Sequence, residues 1–145
     1  EKGLNFFMSD FAVYSEDAAK VVKLMRAYLL SVKAEYVVLC HRDGSVVAEA
    51  GSFNGDAMPL AVLSTASFDS ASQIGAMLGG EKFQAVSYIG ESRAVYISPV
   101  DASLILIQIF SGRLPNRIED YNRMLIDKLL DAVPSFTQNT SSLVR

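Results

Sequence analysis

A strand that is apolar on both of its faces constrains the fold of this chain most strongly. The segment from Ser103 to Phe110 contains the run Leu104-Ile105-Leu106-Ile107. Neighbouring residues of a strand point to opposite faces of a sheet, so both faces of this strand are apolar. Such a strand is typical of the centre of a sheet whose two faces are both covered. We therefore predict that Ser103–Phe110 is a central, covered strand.

Composition and charge exclude several classes of protein. The chain has 145 residues, of which 50% are hydrophobic and 20% are charged, which is typical of one folded domain with its own core. The net charge of −3 makes the chain a poor candidate for binding the phosphate backbone of nucleic acids. The longest apolar stretch, Ala102 to Phe110, is too short for a membrane span. We expect no nucleic-acid partner and no membrane span.

The single cysteine and the single histidine limit the chemistry that this chain can perform. Cys40 and His41 are adjacent, and one residue of each type excludes both an internal disulfide and a Cys/His zinc cluster. On a strand the two side chains would point to opposite faces, which disfavours a catalytic pair. We therefore expect no catalytic residues, no cofactor and no metal, and an enzyme that uses His41 with Asp43 is a competing hypothesis. A free thiol without a secretory signal predicts a cytoplasmic protein.

Local signals predict eight elements within a single domain. In chain order they are a helix from Ser15, strands over Tyr36–Arg42 and Ser45–Ala50 joined by Asp43-Gly44, a helix over about Pro59–Leu78 capped by Asp56, strands over Phe83–Ile89, Arg93–Ser98 and Ser103–Phe110, and a helix from Asn116. Glu119 follows Asn116 at the spacing of a capping box. We predict an arm over residues 1–14, a domain over residues 15–133 and a flexible tail over residues 134–145.

The second predicted helix has an unusual composition for a helix at a protein surface. It consists largely of alanine, serine and glycine with larger apolar residues among them, and Asp69 is its only charged residue. A surface helix normally carries charges on its outer face, and an exposed apolar face of this size is rare in a monomer. We expect this helix to pack against a second copy of itself in a symmetric dimer. The alternative is that the other two helices bury it within the monomer.

The order of the elements and the residues at their joints resemble one known family. The residues that carry this resemblance are Val37-Val38-Leu39, Arg42-Asp43-Gly44-Ser45-Val46-Val47-Ala48, Leu78-Gly79-Gly80, Tyr96-Ile97-Ser98-Pro99-Val100 and the strand Leu104 to Ile109. Over about Ser15 to Ala132 the chain resembles the roadblock / dynein light chain family, and within it the regulators of bacterial gliding motility.

The resemblance implies an α+β fold and a homodimer. It implies a five-stranded antiparallel sheet in the order 2-1-5-4-3, with the first and third helices on one face and the second helix on the other. The dimer seam, which also forms the platform for a partner, would consist of Ser64, Ser67, Phe68, Ala71, Ile74, Gly75 and Leu78. The third strand would pair with its mate along an edge that contains Phe83, Ala85, Val86 and Tyr88.

The resemblance also implies a function. Proteins of this family are scaffolds and regulators, so it implies a non-catalytic homodimeric interaction module that binds and regulates a small Ras-like GTPase, either as an activating co-regulator or as a scaffold. The platform helix contains no arginine, so no arginine finger is assigned. The alternative is a monomeric ligand-sensing domain of the profilin or PAS-like type, which would hold a small molecule between its sheet and a helix.

Overall fold

The computed structural model describes residues 15–133, and their elements follow the predicted order. In chain order the elements are α1 (Ser15–Val32), β1 (Tyr36–His41), β2 (Val46–Gly51), α2 (Ala57–Met77), β3 (Val86–Ile89), β4 (Arg93–Pro99), β5 (Leu104–Ser111) and α3 (Ile118–Ala132). The predicted arm over residues 1–14 and the predicted tail over residues 134–145 lie outside the described residues.

The five strands form one antiparallel sheet in the order β2-β1-β5-β4-β3, which confirms the predicted fold class. The strand β5 lies at the centre, where Ile107 pairs with Val38 of β1 and with Ile97 of β4. Every residue from Leu104 to Ile107 is 0% exposed. The strand with two apolar faces is therefore the covered central strand, as its sequence predicts.

Helices cover both faces of the sheet, so the domain has three layers. On one face, β5 residues such as Leu106 pack against Met25 of α1 and Leu125 of α3. On the other face, Ile107 and its neighbours pack against Phe68 of α2. Alternation along the strand sends successive side chains to these two separate cores.

The turn between β1 and β2 depends on Asp43 and Gly44, as predicted. Gly44 has a φ of 104°, a backbone conformation that glycine adopts without a steric penalty. The Asp43 carboxylate accepts hydrogen bonds from the backbone N–H of Ser45 at 2.9 Å and from its hydroxyl at 2.7 Å. These bonds fix the direction in which β2 leaves the turn.

The prediction that the third strand begins at Phe83 is wrong, because β3 begins at Val86. The N–H of Gly90 donates to the carbonyl of Arg93 at 2.8 Å, so Arg93 and every second residue after it direct their backbone groups toward β3. Pro99 lies on that side of β4 and has no N–H to donate. The ladder between the two strands therefore ends before it reaches Pro99.

The prediction that the last helix opens at Asn116 with a capping box is also wrong. The residue before the helix is Arg117, whose φ is 63° and whose side chain makes no capping hydrogen bond to the backbone. Its guanidinium instead contacts the Asp120 carboxylate at 2.9 Å. The helix begins at Ile118, which is buried, because the φ of 63° at Arg117 lies outside the range of a right-handed helix.

The ends of α2 are held by Asp56 and by a close approach at Gly75. The Asp56 side chain accepts a hydrogen bond from the N–H of Met58 at 3.1 Å, which confirms the predicted cap. The carbonyl of Gly75 accepts from the N–H groups of Gly80 and Glu81 at 3.1 and 2.9 Å. A Cβ atom on Gly75 would lie 2.1 Å from the carbonyl oxygen of Glu81. Only glycine therefore fits where the chain leaves α2.

We predict that Gly75→Ala destabilises the protein by about 2 kcal/mol, because the added methyl group meets a backbone carbonyl that cannot move without disturbing the end of α2. Alanine is otherwise the better helix former by about 1 kcal/mol. A loss of stability would therefore show that the steric contact outweighs the gain in helix propensity. Urea unfolding measures it, with the exposed Ser72→Ala on the same helix as the control, which should change stability by less than about 0.5 kcal/mol. A Gly75→Ala variant more stable than the parent would contradict the packing described here.

Candidate functional site

The outer side of α2 carries an apolar stripe without any charge. We call Leu63, Ser67, Ser70, Ile74 and Met77 the α2 stripe. These residues follow one another at alternating spacings of four and three positions, which places them on one side of a helix and is the spacing of helices that pack along each other. Leu63, Ile74 and Met77 are 69%, 53% and 84% exposed. Nothing within residues 15–133 covers this stripe.

The only charge on α2 is paired on another side of the helix. The guanidinium of Arg42 lies 3.2 Å from the Asp69 carboxylate, and it also lies 5.9 Å from the centre of the Phe68 ring. Arg42 follows β1, so this contact ties the Asp69 flank of α2 to the β1–β2 hairpin. The α2 stripe lies on the opposite flank and is left without a charge.

The α2 stripe adjoins the free edge of the sheet at β3. The hydroxyl groups of Ser67 and Tyr88 are hydrogen bonded to each other, which joins the helix to the strand. Among the described strands, β3 pairs with β4 alone. Because Gly90 pairs with β4, alternation along the strand directs the backbone N–H and C=O groups of Ser87 and Ile89 to the free edge.

The two edges of the sheet differ in their protection against further pairing. The edge strand β2 carries the exposed Glu49, and its ladder with β1 contains an irregularity between Leu39 and Cys40. The strand β3 reads Val-Ser-Tyr-Ile, and its ladder with β4 is regular. Charges, bulges and prolines are the usual means of blocking an exposed edge. The edge at β3 lacks them and is therefore suited to pair with another strand.

The structure divides the predicted platform residues into two groups. Ile74 and Leu78 are exposed, and Ser67 and Ala71 are half-buried on the same flank. Ser64, Phe68 and Gly75 are buried within their own domain, Phe68 against the sheet and Gly75 against Glu81 and Phe83, so these three residues are not part of the exposed surface of α2. Sequence reasoning missed Leu63, Ser70 and Met77, although the spacing of four and three positions could have identified them.

The predicted edge residues are also divided. Val86 and Tyr88 belong to β3, whereas Phe83 and Ala85 precede it. The expectation that Phe83 and Ala85 take part in an edge strand is therefore corrected. The ladder between β3 and β4 ends before it reaches Pro99, which has no N–H to donate.

The residues considered for catalysis lie in the core or at the β1–β2 turn. Cys40 is 0% exposed in the core under α2, and burial raises the pKa of its thiol to about 12. His41 Nδ1 lies 3.0 Å from the Asp43 carboxylate. That carboxylate is held mainly by hydrogen bonds from Ser45, which lower its pKa. Within residues 15–133, no group of three or more His, Cys, Asp or Glu side chains is arranged to hold a metal ion.

Clefts at the surface bear on the ligand-sensing alternative. One cleft of about 430 Å³ lies beside the ion pair of Glu35 and Arg93, whose Nε to Oε1 distance is 3.0 Å, and Phe53 also lines it. Another, of about 350 Å³, lies between β4 and α3 and is lined by Tyr96 and Asn122. Both clefts are large enough for a small molecule.

We predict that the Cys40 thiol does not react with Ellman's reagent at pH 8 while the protein is folded. Its raised pKa leaves little thiolate at this pH, and the side chain is fully enclosed. In 8 M urea the thiol regains a pKa of about 8.5 and should react within the mixing time. A native thiol that reacts as fast as the unfolded one would contradict this burial. The absorbance at 412 nm follows both reactions.

None of the helices in the described part of the chain has the length and apolarity needed to cross a membrane.

Comparison of the sequence with known proteins identifies no relative. No protein-family model matches the chain, and no curated protein sequence matches it. The similarity to known proteins is therefore found at the level of the structure.

Solved structures with the same fold are numerous. Myxococcus xanthus MglB has a TM-score of 0.74 and 21% identity over 85% of this chain and 94% of its own. An MglB described as having a tetrameric arrangement has a TM-score of 0.76 and 19% identity over 85% and 94%. A roadblock/LC7 domain from Streptomyces avermitilis has a TM-score of 0.62 and 18% identity over 81% and 94%. Profilins score lower, at 0.51 to 0.53. The chain therefore has the fold of MglB and the roadblock/LC7 domains, which confirms the family resemblance at the level of the fold.

Proposed function

We propose that the protein is a cytoplasmic, non-catalytic homodimeric interaction module that binds and regulates a small Ras-like GTPase, as an activating co-regulator or as a scaffold. The observation that carries this proposal is the charge-free α2 stripe beside the unprotected edge of β3. The shared fold with MglB supports it, and one MglB structure is described as a tetrameric arrangement.

The α2 stripe is suited to antiparallel packing against a second copy of itself. Its large residues lie toward its ends, at Leu63, Ile74 and Met77, and its centre is Ser70. In a two-fold arrangement about Ser70, Leu63 of one copy would meet Met77 of the second copy. The small side chain at the centre would let the two helices approach closely, since the distance between packed helices depends on the side chains at their contact.

The edge of β3 can pair in the same arrangement. The Ser67–Tyr88 contact holds the edge strand against the flank of α2 that bears the stripe. A two-fold axis that relates two α2 helices side by side would therefore bring two β3 edges together. The outward N–H and C=O groups of Ser87 and Ile89 would then find partners, and the two sheets would become continuous.

The chemistry of α2 also limits the GTPase surface that can dock on it. A charged group that is buried against an uncharged helix loses its hydration and gains no partner. We infer that the GTPase contacts the surface of the paired α2 helices that the dimer leaves exposed, and that it does so with apolar and neutral polar side chains. Charges of the GTPase should lie at the rim, where Arg42 and Asp69 are found.

One observation favours the second candidate function, a ligand-sensing domain. The cleft between β4 and α3 lies between the sheet and a helix, as that function requires. The two candidates differ in what they expect of the α2 stripe, because a monomeric sensor has no use for it.

We expect the protein at micromolar concentration to have twice its monomer mass of 15.8 kDa in light scattering after size exclusion. Ile74→Arg should weaken self-association by about 100-fold or more, because it places an unpaired charge in the seam. Ala76→Arg is the matched control, since Ala76 is an exposed residue of the same helix outside the α2 stripe. A monomeric parent protein, or an Ile74→Arg variant that remains dimeric, would refute the seam.

We expect at least one small Ras-like GTPase from the same genome to bind the protein in pull-down and calorimetry, after loading with GDP or with a non-hydrolysable GTP analogue. Ile74→Arg should lose this binding, and Ala76→Arg should keep it. Single-turnover GTP hydrolysis then separates the two roles: an activator raises the rate by about tenfold or more, and a scaffold leaves it unchanged. If no GTPase of the genome binds in either nucleotide state, the proposed partner is wrong.

A further inference from the structure

A buried chain of hydrogen bonds connects α1, the central strand and α3. The hydroxyl of Tyr28 in α1 donates to Gln108 Oε1 of β5 at 2.7 Å. Gln108 Nε2 donates to Asn122 Oδ1 of α3 at 2.8 Å, and the Ser98 hydroxyl of β4 donates to the same oxygen at 3.2 Å. Gln108 and Asn122 are 0% and 6% exposed, so this network lies in the core.

The hydrogen bonds of the network give each of the two amides a defined orientation in the structure. A tyrosine hydroxyl has one proton to donate, and the acceptor for it is Gln108. In the structure the Gln108 carbonyl faces Tyr28 and its NH₂ group faces Asn122. The Asn122 carbonyl accepts from Gln108 and from Ser98, so its NH₂ group points away from the network. Among residues 15–133 that NH₂ group has no hydrogen-bond acceptor.

Asn122 lines the cleft of about 350 Å³ between α3 and the segment that leads into β3, and its NH₂ group is the part of the side chain that the network leaves available to a ligand. Two cationic residues, Arg123 and Lys82, line this cleft together with the acidic Glu119. Arg123 Nη2 donates to Gln84 Oε1 at 3.3 Å, and both residues line the cleft.

The rest of the cleft wall is apolar and aromatic. Phe83, Pro99 and Ile126 line it, and the hydroxyl of Tyr96 remains protonated because burial and the nearby Glu119 raise its pKa, against the opposing effect of Arg123. The cleft therefore combines hydrogen-bond donors, a net positive charge and an apolar wall.

We propose that this cleft binds a small organic monocarboxylate. The carboxylate would accept hydrogen bonds from the NH₂ group of Asn122 and from Arg123, and Lys82 would add a second positive charge. The apolar body of the ligand would lie against Phe83, Pro99 and Ile126. Glu119 disfavours a second negative charge on the ligand, since like charges at close range repel. This site is separate from the α2 stripe, and the inference does not depend on the proposed function.

The test is a titration of the full chain with sodium benzoate, followed through the ¹H–¹⁵N resonances of the Asn122 side chain and of the Arg123 backbone amide. We expect saturable shifts with a Kd on the order of 1 mM. Benzamide, which has the same shape without the charge, should cause no saturable shift. Absence of saturation with benzoate up to about 20 mM, or equal binding of benzamide, would overturn the proposal.

Three variants separate this site from a general attraction of anions. Arg123→Gln should weaken benzoate binding by about tenfold or more. Lys128→Gln removes the same charge from an exposed position of α3 that lines a different groove, and it should leave binding unchanged. Asn122→Asp keeps an oxygen for Gln108 and Ser98 but replaces the outward donor with an acceptor, and it should abolish binding. Equal losses in Arg123→Gln and Lys128→Gln would overturn the proposal, as would full binding by Asn122→Asp with a native circular dichroism spectrum.

Discussion

The burial of β5 on both faces is the constraint on which the rest of the structure depends. Its residues Leu104 to Ile107 are fully enclosed, and each full enclosure of a large aliphatic side chain is worth about 1.5–3 kcal/mol. Neither layer of helices could provide this enclosure without the other. The pair α1 and α3 covers one face, and α2 alone covers the other. Because α2 has no second helix beside it, the exposed apolar surface of the domain lies on the α2 side of the sheet.

When one helix covers a face of a sheet alone, its outer side stays exposed to solvent. Small residues such as Ala61 and Ser64, together with Phe68, bring α2 against the sheet. Within the described residues, no further layer lies on the outer side of α2, so Leu63, Ile74 and Met77 remain exposed. The edge at β3 is uncovered on the same flank. The apolar helix surface and the unpaired strand edge therefore have one origin, and a second copy of the chain would cover both.

Elements determined by local signals could be predicted from the sequence, and details determined by tertiary packing could not. The turn at Asp43-Gly44 and the central strand follow from neighbouring residues, and both were predicted correctly. The orientation of α2 could not be predicted, because a helix whose only charged residue is Asp69 has no polar side that identifies its solvent-facing surface. Phe68, which the family resemblance assigns to the dimer seam, lies against the sheet. The start of β3 depends on Pro99, a residue of the neighbouring strand that no local pattern reveals.

The buried polar residues define features of the packing that the hydrophobic pattern of the sequence does not predict. Gln108 interrupts an apolar strand, and Asn122 interrupts the apolar side of α3, so each alone would be costly to bury. Tyr28 provides the proton that satisfies Gln108, and Gln108 in turn satisfies Asn122. In the arrangement that the structure shows, the NH₂ group of Asn122 has no acceptor among residues 15–133, and Asn122 lines a cleft. The same three residues that specify how α1 and α3 pack on the sheet therefore also create the donor of the proposed carboxylate site.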